Sequence, residues 1–317
     1  MVATASNGAG IGGSDGEKGG TIIINGGTVN ATGGSGGAGI GGGSGYWGNG
    51  SSGTIIINGG TVNATGVRGG AGIGGGRDCA GGIITINGGH VRAQGSTYSF
   101  GKDDYALGAG IGGSGGGDGG KITISGGSVI AFGAIHYYDY YSIVSPGIGG
   151  GVRDEGNVAT GDFSTGADGN SVIIASSISD NEDRDAWSGL IITQTQDEGK
   201  IYGGNSFEIE NDLEIPEGYT LTIENGKTLT ISAGVTLTNN GTIICNGTIN
   251  GSVDGDVRYP SGVTVAFSGE GVNTSTASYG STIIVTATMQ RAQTNGINSI
   301  AELGYVNFPN LGDTSGT

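Results

Sequence analysis

Two insertions carry most of the side chains in this sequence that could recognise a ligand. Ser96–Leu107 reads STYSFGKDDYAL and Ala134–Ser145 reads AIHYYDYYSIVS. Between them they hold Tyr98, Phe100, Tyr105, Tyr137, Tyr138, Tyr140 and Tyr141, with Asp103, Asp104, Asp139 and His136. Half of the chain's 12 tyrosines therefore fall in two short stretches. Aromatic rings beside carboxylates suit a sugar, whose C–H faces stack on rings while its hydroxyls meet acceptors. Loops on a rigid scaffold are where such sites occur. The competing reading is that the two loops fold over each other as a private small core.

Either reading needs a scaffold that sets the insertions side by side, and a repeat supplies one. Ala-Gly-Ile-Gly-Gly begins at Ala9, Ala38, Ala71 and Ala109, and Pro-Gly-Ile-Gly-Gly at Pro146, giving spacings of 29, 33, 38 and 37 residues. A second phrase, TIIINGGTVNATG, occupies Thr21–Gly33 and recurs unchanged at Thr54–Gly66. Ile83–Gly95 and Lys121–Gly133 are relaxed copies. A period in the 20–50 range marks a supersecondary unit that buries its apolar face by stacking on its neighbours.

Alternation then assigns the inward positions. Ile22/Ile55/Ile84/Ile122, Ile24/Ile57/Ile86/Ile124, Val29/Val62/Val91/Val129 and Ala31/Ala64/Ala93/Ala131 form columns at period-2 spacing. Ile11/Ile40/Ile73/Ile111/Ile148 adds one from a short third side. The predicted fold is all-β, a parallel β-solenoid of about three sides per coil, right-handed by the general crossover preference. An antiparallel sandwich would require alternating strand partners, not identical columns at one long period. Asn25, Asn58 and Asn87, with Ser125 in the fourth coil, precede the glycine corner and are expected to bond local backbone.

Composition agrees. The 75 glycines among 317 residues come with only 4 prolines and no Gly-X-Y period, which excludes collagen. Recurring Ile/Val/Thr runs exclude disorder. The net charge of −16, with 12 Lys+Arg, repels nucleic acid and anionic membranes. No apolar run reaches the ~20 residues of a membrane span. Cys79 and Cys245 are too few and too far apart for a disulfide framework and read as small apolar residues.

Four regions follow. Residues 1–151 are the Gly-rich coils and 152–206 one irregular continuing coil. Residues 207–253 are a leaner solenoid with corner glycines every 6–8 residues. Residues 254–317 are a cap or a partial immunoglobulin-like module, with strands at Gly262–Phe267 and Ser281–Ala287.

Other chemistry is poorly supplied. Gly112–Asp118 (GGSGGGD) is similar to the Ca²⁺-binding nonapeptide, but its aspartate falls one residue late, so no cofactor is expected beyond an incidental Ca²⁺. Glycoside hydrolysis needs two carboxylates held across a groove. Here the acids cluster on variable loops and His90 and His136 are the only histidines, so no enzyme is expected. A flat Thr array for ice binding breaks down after the second coil.

The Ala-Gly-Ile-Gly-Gly and TIIINGGTV phrases resemble the Gly-rich β-helix repeats of large surface proteins from gut Firmicutes. Ile215–Gly226 (IPEGYTLTIENG) is similar to segments recurring in the same proteins, often followed by immunoglobulin-like modules. The resemblance covers about residues 8–150 and 207–253. It implies an extracellular, adhesin-like or carbohydrate-binding bacterial protein, of which this chain is a fragment without signal or anchor. The expected role is non-catalytic: a stalk or adhesin taking a glycan or cell-surface ligand through the aromatic loops. The alternative is a structural segment that self-associates end to end.

Overall fold

The computed structural model describes residues 1–45, 50–99, 105–137, 140–153, 157–180, 184–194, 199–259, 263–268 and 284–289. The chain divides into two compact units, Met1–Gly255 and Asp256–Thr317.

The repeats of the first unit build three parallel sheets. Thr21–Ile24, Thr54–Ile57 and Ile83–Ile86 stack on the first half of Lys121–Phe132, with Ile22, Ile55, Ile84 and Ile122 in register. Thr28–Thr32, Thr61–Thr65 and His90–Gln94 form the second face, flanked by Val2–Thr4 before them and the second half of Lys121–Phe132 after them. The third face is only two residues wide: Ile11–Gly12, Ile40–Gly41, Ile73–Gly74, Ile111–Gly112 and Ile148–Gly149. Every column assigned from the sequence lies in or against one continuous core. A coil this thin brings backbones into contact at the third face. Gly41 has φ +133°, and a Cβ there would sit 2.1 Å from the Gly74 carbonyl oxygen, so only glycine fits.

The polar residues at the corner form a ladder along the axis. Asn58 Nδ2 donates to Asn25 Oδ1 (2.7 Å), Asn87 Nδ2 to Asn58 Oδ1 (2.8 Å) and Ser125 Oγ to Asn87 Oδ1 (2.9 Å). This corrects the expectation of local backbone bonding. Equal positions in stacked strands lie about 4.8 Å apart, within reach of an amide-to-amide bond.

Asp162–Ala175 continues both the first and the second face in parallel register, and Gly189–Thr193 the second. Lys200–Tyr202 then pairs antiparallel with Gly189–Ile191, which ends the stack. Trp187 closes the core, 5.2 Å from Phe163 and 5.5 Å from Tyr202 between ring centroids. The leaner coils are parallel again: Ser206–Ile209 with Thr228–Ile231, Leu213–Ile215 with Leu237–Asn239, and Thr220–Ile223 with Thr242–Cys245.

The leaner coils meet the outer surface of the larger solenoid. Ile174 and Ile192 point away from the first core, yet both are buried. Gly199, bridged to Leu221, lies against Ile192, and Tyr219 meets Phe132 edge-on at 6.5 Å. A strand buried on both faces explains the unbroken apolar run Leu190-Ile191-Ile192.

In the second unit Val263–Ser268 pairs antiparallel with Ile284–Met289, Val263 opposite Met289. These are the two strands expected near Gly262–Phe267 and Ser281–Ala287, each ending one or two residues later. Cys79 and Cys245 are buried thiols. Burial pushes the Cys79 thiol up from its ordinary value.

Candidate ligand-binding site

Each aromatic insertion folds as an antiparallel hairpin standing on the solenoid. Thr97–Ser99 pairs with Tyr105–Leu107, and Ile135–Tyr137 with Ser142–Val144. One coil separates their roots, so the hairpins touch, as the repeat spacing requires. Thr97 Oγ1 donates to the Ile135 carbonyl (2.8 Å), and Tyr105 stacks on His136 with ring centroids 5.0 Å apart and planes 14° from parallel.

The private core and the exposed patch coexist. Tyr105 is 1% exposed and packs with Leu107, Ala134, Val152 and Ile143. Val152–Arg153 pairs with Ala106–Leu107 and braces the first hairpin from outside. Tyr105 is therefore an anchor, not a contact residue, because its ring is spent on the small core. Tyr98 is half-buried with the Arg77 guanidinium 4.5 Å from its ring centre, so a cation already occupies one face. The second hairpin faces outward: Tyr137 is 75% exposed, Tyr140 97% and Tyr141 60%, flanked by partly exposed Ile135 and Val144. Phe100, Asp103, Asp104, Tyr138 and Asp139 lie outside the described residues, as do Tyr46 and Trp47.

A groove of about 490 Å³ runs from Ile135 and Val144 across the second face of the solenoid. Gln94, Thr97, Phe132, Gln194 and Tyr219 line it. Its far wall, Tyr219, belongs to the leaner coils.

A larger polar depression of about 730 Å³ opens at the corner, between Asn87, Ser125 and the segment from Ser206 to Leu213. Of its three acids, Glu208 accepts from Ser232 Oγ and Asp212 accepts the Thr236 N–H at 2.8 Å, and Glu210 also lines it. Asp78, on the loop after the Ile73–Gly74 side, pairs with Arg153 at 2.9 Å. Among the described residues no three His, Cys, Asp or Glu side chains converge to hold a metal ion, and no helix is long and apolar enough to cross a membrane.

A family model described as a beta helix repeat matches the chain four times, at residues 22–44, 55–77, 84–117 and 122–152. The Gly-rich coils carry β-helix repeats. Each match opens on a first-face strand and runs through the Gly-Ile-Gly side. The third and fourth β-helix repeats are the longer ones because each encloses a hairpin. No curated protein and no solved structure matches the chain.

Sequence reasoning found the two insertions, though not their hairpin form, and missed the groove beside them. Gln94 and Phe132 stand in the outward column that begins with Thr32 and Thr65, where both depart from threonine. That departure was a readable signal. Tyr219 gave none, because its position depends on the lateral docking of the leaner coils.

Proposed function

We propose that this β-helix repeat chain is a non-catalytic segment of an extracellular surface protein that presents its second hairpin to a glycan. One observation carries the reading: Tyr137, Tyr140 and Tyr141 are held out in solvent by a hairpin whose base is locked through Tyr105 and His136. Exposed tyrosines with adjacent apolar side chains mark interaction sites. The scaffold beneath is a rigid hydrogen-bonded ladder, so little ordering cost falls on binding. Glycan-array binding of the chain and of a Tyr137→Ala/Tyr140→Ala/Tyr141→Ala variant tests this. Selective binding that the variant loses is expected. Absence of binding would leave a rigid spacer or filament segment.

A further inference from the structure

The geometry points to the groove between the second hairpin and Tyr219 as a subsite for a neutral sugar residue, held by the Tyr219 hydroxyl, the Gln94 carbonyl oxygen and the Gln194 amide against an apolar wall of Phe132, Ile135 and Val144. This deepens the glycan reading and rests on it.

Three observations favour a ligand there. Tyr219 is only 5% exposed and lines the groove. A phenol hydroxyl in the groove wall can both donate to and accept from a ligand's hydroxyl. Desolvation by burial pushes its pKa up to about 12, so it is a neutral donor at ordinary pH.

Gln94 is oriented in advance. Its Nε2 faces the carbonyls of Gly95 (3.1 Å), Gly133 (3.3 Å) and Phe132 (3.4 Å). Those contacts spend the donors and leave Oε1 as the acceptor, without the rotamer entropy a free amide would lose on binding. Gln194 is exposed and supplies a second amide able both to donate and to accept.

The lining also sets the ligand class. Among the described residues it contains no acid and no base, so a charged ligand would be desolvated there without a counter-charge from them. The volume lies in the ~300–1,000 Å³ range of small-molecule sites. An uncharged, many-hydroxyl ring with an apolar face fits that chemistry, and the tyrosine hairpin at the rim would meet the next residues of the chain.

Calorimetric titration with neutral gluco-, manno-, galacto- and xylo-oligosaccharides, and with sialylated and sulfated ones, tests the assignment. The wild-type chain is expected to bind a neutral oligosaccharide. Tyr219→Phe and Gln194→Ala should each weaken it at least fivefold without lowering the melting temperature. Equal binding by both variants, with loss in the Tyr137/Tyr140/Tyr141 alanine variant, would overturn the groove and keep the hairpin. Preference for anionic oligosaccharides would also overturn it. Binding to none of these probes would overturn both readings.

Discussion

Tyr105 and His136 stack 5.0 Å apart, one ring from each of two hairpins rooted one coil apart. The pair turns two separate loop insertions into a single braced projection. Tyr105→Ala should cost about 3–5 kcal/mol, the usual loss for a buried aromatic, and His136→Ala about 0.5–1.5 kcal/mol, the worth of an aromatic pair. Limited proteolysis should show cuts in 96–107 and 134–145 for Tyr105→Ala well before the coils open. Cuts spread evenly through the repeats would contradict the anchoring role.

The corner ladder makes a prediction of sign. Asn58 donates to Asn25 and accepts from Asn87. Asn58→Ala should cost about 1 kcal/mol, two net hydrogen bonds on an exposed edge. Asn58→Asp should cost more, because it turns the donor facing Asn25 Oδ1 into a second acceptor 2.7 Å away. Denaturant midpoints of the two variants check the order, and an aspartate as stable as wild type would count against the ladder.

Two glycines of one coil should behave oppositely. Gly41 is in the left-handed region with a carbonyl 2.1 Å from its would-be Cβ, whereas a Cβ at Gly26 meets nothing within 4 Å. Gly41→Ala should cost at least about 3 kcal/mol in strain and displaced backbone. Gly26→Ala should be neutral or stabilising by up to about 1 kcal/mol. Thermal melts distinguish them.

Tyr219 gives the chain an alkaline limit. Its pKa is raised to about 12 by desolvation, above the ordinary 10, so between these values the folded state holds a proton that the unfolded state has released. Stability from this group is intact below pH 10 and is lost as pH rises toward 12. Tyr219→Phe should flatten that part of the stability profile, and tyrosinate absorbance should show a late-titrating component in the wild type that the variant lacks.

The coils were legible because their columns repeat at one register: Ile24, Ile57, Ile86 and Ile124 needed only alternation and period to be placed inside. The contact between the hairpins followed from the same ruler. What the sequence did not disclose depends on neighbours distant in the chain. The side-chain partners of Asn58 come from coils 33 and 29 residues away. Ile174 and Ile192 occupy outward positions by alternation, and only the leaner coils lying beside them explain their burial. The unbroken apolar runs at Val172–Ala175 and Leu190–Ile192 were the hint that both faces of those strands are covered. The same docking brings Tyr219 to the groove.

The most direct test of the account is the affinity of the chain for its best glycan-array ligand, measured for wild type and for the Tyr137→Ala/Tyr140→Ala/Tyr141→Ala variant. These side chains are at least 60% exposed, so the variant should melt with the wild type. The expected result is at least a tenfold loss of affinity at unchanged stability. Equal affinity in the two proteins would contradict a role for the hairpin in recognition.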